Sequence, residues 1–99
     1  MYLTVGHFKF KQAGVQRARE IMDAIVTLGR EEPGISQYTF YASPDAEHAY
    51  FLFEEWESKE LHDRHFNSSE MQAIVPEFFE LLAEAPQVSY FNATLESKL

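Results

Sequence analysis

The segment AYFLFEEW, Ala49 to Trp56, most restricts what this chain can fold into. Read with the period of two that a strand imposes, it directs Tyr50 and Leu52 to one side and Phe51 and Phe53 to the other. A strand that is apolar on both faces must be covered on both. In a chain of 99 residues the helices suffice for one face of a small sheet, so a second subunit is the simplest cover for the other. A single domain over residues 1–99 is expected, because a chain this short buries only about 60 to 65% of its unfolded surface and has no core to spare for a second unit.

The segments around this strand are set by changes of period. Tyr2 to Phe10 alternates as a strand, with Leu3, Val5 and His7 on one row and Tyr2, Thr4, Gly6 and Phe8 on the other. Val15, Ala18, Ile21, Met22, Ile25 and Leu28 then fall on one face of a helix predicted over Val15 to Arg30. Pro33 and Gly34 end it. Ile35 to Ser43 is rich in β-branched and aromatic residues, and the turn chemistry of SPDAEH makes it the hairpin partner of Ala49 to Trp56. Ser58 caps a short helix through Phe66. Asn67, with Glu70 three residues on, suggests another cap, then a turn over Met71 to Ile74. Pro76 is read as the start of a helix reaching Glu84 that buries Phe78, Phe79 and Leu82. A fourth strand is expected over Val88 to Thr94. The order β-α-β-β-α-β is that of a ferredoxin-like α+β fold, a four-stranded antiparallel sheet with helices on one face and a homodimer formed through the other.

Composition closes off several classes of function. Sixteen acidic against eight basic residues give a net charge of −8, which offers no basic stripe to nucleic acid or to anionic lipid. There is no cysteine, hence no disulfide, thiolate metal site or cysteine nucleophile. No apolar run approaches a membrane span of about 20 residues, and the N-terminal segment alternates too much for a signal sequence, so a cytoplasmic location is expected. Aromatic residues make up 15% of the chain, more than a minimal core needs; some are expected at an interface or around a small-molecule pocket.

Glu54 and Trp56 share a strand row with Tyr50 and Leu52, so the Glu54 carboxyl is set on a row that is half or wholly buried, where it needs a partner. His65, late on the following helix, is within reach of a fold-back onto Glu54, and a carboxylate-held imidazole is a serviceable general base. Spacing alone favours the simpler reading, an exposed Glu54, a Trp56 core plug and a His65 that merely covers them. His62, one turn before His65, reads as solvent-facing, and a metal held by these histidines with Glu54 or Asp63 has little support; no metal is assigned. His7 interrupts an apolar row either as a core histidine or as part of a pocket. The residues assigned to a substrate pocket are His7, Tyr38, Tyr50, Met71 and Phe79.

Glu31 to Pro76 resembles the antibiotic biosynthesis monooxygenase family. The resemblance rests on Glu32-Pro33-Gly34 before the second strand, Tyr38 within it, and Glu54, Trp56, Glu57 and Ser58. It continues in His65, Phe66 and Ser68, and in Pro86-Gln87-Val88 before the last strand. It implies a ferredoxin-like protomer paired sheet to sheet in a dimeric α/β barrel, with Glu54, Trp56 and His65 at the family's recurrent site positions. Known activities in the family include cofactor-independent oxygenation of aromatics and quinols, haem degradation, and isomerisation of a phosphorylated signalling sugar. The haem-degrading branch carries an asparagine on the first strand, where this chain has Gly6 and His7. The aromatic-polyketide branch carries one four residues before the tryptophan, where this chain has Leu52. The expected function is oxidation of a small aromatic or quinol by dioxygen without a cofactor, with His65 as base. The alternatives are an isomerase of a small phosphorylated sugar or signalling metabolite, and a non-catalytic stress-response dimer that binds a small molecule.

Overall fold

In the computed structural model, which describes residues 1–99, four strands form one antiparallel sheet in the order β2-β3-β1-β4: β1 is Tyr2–Lys9, β2 Ile35–Ala42, β3 Ala49–Trp56 and β4 Gln87–Asn92. A 3-10 turn at Gln12–Gly14 leads into α1, Val15–Arg30, while α2, Lys59–Phe66, and α3, Ser69–Glu80, join β3 to β4. The fold is α+β and ferredoxin-like, with the second crossover split between two helices. No helix is long and apolar enough to cross a membrane.

Alternation along β1 decides which face the helices cover. Tyr2, Thr4, Gly6 and Phe8 are buried beneath them, whereas Leu3 and Val5 are half-buried and His7 is exposed on the opposite face. The apolar stripe of α1, centred on Ala18, Ile21, Met22 and Ile25, packs on this inner side with Phe10, Leu52, Trp56, Met71 and Phe78. At about 25 cal/mol per Å² of apolar surface removed from water, this cluster is the main stabilising contribution. The outer face carries Phe51 and Phe53 half-buried and Tyr41 and Phe91 about half exposed.

Four expectations about the second crossover fail. The cap of α3 is Ser68, whose Oγ accepts the Met71 N–H at 3.2 Å, and Asn67 instead closes α2 by donating its N–H to the Asp63 carbonyl. Nor does Pro76 begin a helix: it lies inside α3, which runs unbroken from Ser69. A proline there removes one i→i−4 donor. Burial of Met71 and Phe78 on either side of it holds the helix to the sheet regardless. The helix stops at Glu80, short of Glu84, because the following backbone is taken by β1: Lys11 N–H donates to the Leu81 carbonyl and Ala83 N–H to that of Lys9. Phe79, expected in the core, is 46% exposed.

Local backbone chemistry places α2 over the site. Gly34, at φ 80°, makes the turn from α1 into β2 in a conformation other residues adopt at a cost, and its carbonyl accepts the Glu57 N–H at 2.7 Å. Ser58 then caps α2 by accepting from Leu61 N–H. The chain reverses directly after Trp56 and lays His62 and His65 back over the inner face, where both are buried.

Candidate functional site

Strand register builds the site before any helix is added. Tyr38 pairs with Glu54, Glu54 with Thr4, and Thr4 with Tyr90, so four polar side chains cross the sheet in one line on its inner face. Tyr38 joins that line through a β-bulge. Register shifts between Ile35 and Gln37, which brings both Ile35, opposite Trp56, and Tyr38, opposite Glu54, to the same side.

Glu54 is buried at the centre of the line. The Trp56 indole N–H donates to its Oε1 at 2.7 Å. Burial drives the carboxyl up to about 7, the Trp56 bond and the nearby Tyr38 hydroxyl offsetting only part of the cost of desolvation. It therefore exchanges its proton near neutrality. The expected direct contact between Glu54 and His65 is absent. Tyr38 intervenes: its hydroxyl lies 3.1 Å from His65 Nε2, and burial followed by the nearby Glu54 charge keeps that hydroxyl protonated well beyond the ordinary tyrosine range.

His65 is 1% exposed, its Nδ1 has no partner, and burial, with a smaller contribution from His62, pushes the ring down to about 4. It is a neutral imidazole at pH 7, wedged against Trp56 and Tyr38 with ring centroids 5.3 Å from each. His62, expected in solvent, is 6% exposed. Its ring lies against Tyr2 and Tyr90, and its Nδ1 is 2.9 Å from Asp63 Oδ1, which leaves Nε2 as the free nitrogen. Asp63 is held below the usual carboxylate range by Lys59 and then by His62, so it stays ionised beside the ring.

Between the sheet and helices α2 and α3 lies a cavity of about 100 Å³. Thr4, Glu54 and His62 supply its polar groups together with the Tyr38 and Tyr90 rings; Phe40, Leu52, Met71 and Phe78 form apolar wall, and Phe66 and Phe79 also line it. No lysine or arginine lines it. An apolar cavity of about 150 Å³ accepts benzene, so this space matches a single ring more nearly than a fused system. The Thr4 hydroxyl is buried without a hydrogen-bond partner.

Of the residues assigned from sequence, Glu54, Tyr38, Met71 and Phe79 meet in this cavity, while Trp56 and His65 stand behind its wall. Two assigned pocket residues lie elsewhere. His7 faces outward, its ring 5.1 Å from Phe51, because its strand row is the one the helices leave open. Tyr50 lies toward the far end of β3 against Phe10 and, together with His7, lines a separate cleft of about 600 Å³ beside the hairpin. Thr4, His62 and Tyr90 were missed. The i, i+3 spacing of His62 and His65 was a usable signal, since it puts both on one helix face; Thr4 and Tyr90 needed the non-local pairing of β1 with β3 and β4. No three His, Asp or Glu side chains gather closely enough to hold a metal ion.

A curated relative, an uncharacterized protein of Synechocystis, is 22% identical over 90 residues and covers 91% of this chain; the chain spans about 61% of that relative's length. A conserved protein of Methanosarcina mazei, 19% identical, superposes with a TM-score of 0.88 over 94% of this chain and 92% of its own. The Rv0793 protein of Mycobacterium tuberculosis, 25% identical, superposes with a TM-score of 0.88 over 98% of each chain. The sequence pattern of the antibiotic biosynthesis monooxygenase family matches residues 1–77. Since that match takes in most of the chain, including β1 and every residue of α2, the protein belongs to the antibiotic biosynthesis monooxygenase family.

Proposed function

We propose that the protein oxidises a small phenol or hydroquinone with dioxygen, with no metal or flavin, and that Glu54 rather than His65 takes the first proton. The observation that carries this reading is a carboxyl poised near 7 on the wall of an otherwise apolar, ring-sized cavity. His65, at about 4 and outside the cavity lining, is a weak base with no direct line to a ligand. It acts as a positioning residue that holds the Tyr38 hydroxyl beside Glu54.

The chemistry balances without an external reductant. Glu54 accepts the proton of the bound hydroxyl, and the resulting phenolate passes one electron to dioxygen. The radical pair combines to a ring peroxide, which takes the proton back from Glu54; the outer hydroxyl then leaves with the ring C–H proton as water, giving a quinone. One oxygen atom enters the product, the other leaves as water, and the substrate supplies all the electrons. The protein's part is to bind the neutral ring, remove its proton and exclude water. A phosphorylated sugar fits less well: a cavity with a carboxyl and no cation penalises a phosphate.

The outer sheet face supports a homodimer. Leu3, Val5, Phe51 and Phe53 form an apolar surface that no helix of this chain covers, and a second copy laid sheet to sheet would bury it.

Oxygen uptake above the spontaneous rate, measured with 1,4-hydroquinone and substituted phenols in chelator-treated buffer, tests the reaction. Glu54→Gln should lower kcat/KM by roughly 10²- to 10⁴-fold while the fold persists. No uptake with any member of the panel, or full activity in Glu54→Gln, would overturn the reading. Binding without uptake would leave a small-molecule-binding dimer in its place.

A further inference from the structure

Thr4 is 2% exposed, lines the cavity, and has a hydroxyl with no partner. A buried hydroxyl left unsatisfied keeps the cost of its lost hydration, and a valine of the same shape would avoid that cost. The strand does not need the hydroxyl, so its use lies in what enters the cavity. Thr4 pairs directly with Glu54 across β1 and β3, which brings side chains on one face to within about 4.5–5.5 Å at Cβ.

We propose that Thr4 is the residue that selects a hydroxyl-bearing ring and stabilises the oxyanion formed from it. This deepens the reading above and rests on it for the proton transfer. A ligand hydroxyl seated between the two residues donates its proton to the Glu54 carboxylate and accepts a hydrogen bond from Thr4 Oγ1. As the proton moves to Glu54, the negative charge left on the ligand oxygen already faces a donor that needs no reorganisation. Thr4 suits this task because no protein acceptor competes for its proton. The pair also fixes the charge of the ligand: the cavity receives the neutral hydroxyl form, since neither Lys nor Arg is present to receive an anion.

Phenol and toluene are nearly isosteric and differ in the one group that Thr4 would read. Their affinities for the wild type and for Thr4→Val and Thr4→Ser, measured under anaerobic conditions by Trp56 fluorescence or calorimetry, test the assignment. The wild type should favour phenol. Thr4→Val should lose roughly tenfold in phenol affinity and nothing for toluene, and Thr4→Ser should recover most of the loss. In thermal melts Thr4→Val should equal or exceed the wild type.

Unchanged phenol affinity in Thr4→Val, or a wild type that does not distinguish the two probes, would overturn the assignment. So would a Thr4→Val chain that fails to fold, because the hydroxyl would then serve the structure. The two readings fail separately. Loss of phenol preference in Thr4→Val with no oxygen uptake by the wild type removes the oxygenase but keeps the anchor; uptake that Thr4→Val leaves unchanged does the reverse.

Discussion

The Trp56 indole donates to Glu54 from two residues along the same strand, at 2.7 Å, and that bond limits how far burial raises the proton affinity of the site. It favours the ionised carboxylate and works against the desolvation that pushes the carboxyl up to about 7. Trp56→Phe keeps most of the ring volume and removes the donor. The Glu54 pKa should then rise further, and the acidic limb of the kcat/KM profile should move to higher pH by about one unit. A carbon-13 titration of the labelled Glu54 carboxyl checks this directly; a midpoint at or below the wild-type value would contradict it. The loss of stability should be about 1–3 kcal/mol, from the bond and the smaller ring together.

Glu54 and His65 should give the folded protein two opposed responses to pH. The folded Glu54 keeps its proton to about 7, against 4.5 in the free residue, so between those values the folded state binds more protons than the unfolded state. This contribution to stability is complete below about 4.5 and declines as pH rises, by about 3 kcal/mol over the window. The folded His65 titrates at about 4 against 6.5, so there the unfolded state binds more protons, and stability falls as pH drops from 6.5 toward 4. The two slopes oppose each other across pH 4.5–6.5. Urea melts should show stability rising with pH in Glu54→Gln and falling with pH in His65→Phe, relative to a flatter wild type. Parallel curves for all three would show that neither group is linked to folding.

Much of this architecture is legible in the sequence, for reasons that also mark where legibility stops. Val15 to Arg30 and Ala49 to Trp56 match α1 and β3 because their periods are long and bounded by strong turn residues. Pro76 misleads because local chemistry says stop while Met71 and Phe78, buried on both sides of it, hold α3 together. Glu54 and Trp56 are identifiable from alternation, but the cross-strand pairing of Glu54 is not. Tyr38 reaches Glu54 only through the bulge after Ile35, and Thr4 only through the pairing of β1 with β3, which joins positions 50 residues apart, neither of which leaves a local signature. His65 stands out as a histidine on a returning helix, yet its separation from Glu54 by Tyr38 depends on that same bulge.

Gly29 is where the Tyr38 ring touches α1. A Cβ at this position would overlap the Tyr38 ring, which is itself fixed between Trp56 and His65 and cannot swing clear. Gly29→Ala would ordinarily strengthen a helix by about 0.5–1 kcal/mol. Here overpacking should dominate, with a net loss of about 1–3 kcal/mol and a displaced Tyr38 hydroxyl. The Glu54 midpoint should rise as the hydroxyl that favours its ionised form moves away. Thermal melts and the carboxyl titration together decide the matter: a stabilised protein with an unmoved midpoint would mean that α1 does not clamp Tyr38.

The outer sheet face predicts how assembly and chemistry separate. Phe53 points away from the cavity, on the row of β3 opposite to Glu54, and pairs with Val5 across the strands. Phe53→Asp puts a charge at the centre of the surface proposed to meet a second copy, where it would be buried without a partner at a cost of several kcal/mol. Sedimentation should then give a monomer where the wild type gives a dimer. Thr4, Glu54 and His62 lie on the inner side of the same chain, so phenol binding by the monomer should stay within about threefold of the wild type, a difference of under 1 kcal/mol. A wild type that sediments as a monomer, or a Phe53→Asp variant that remains dimeric, would refute the proposed interface. A well-folded monomer that no longer binds phenol would show that the partner copy holds the cavity in shape.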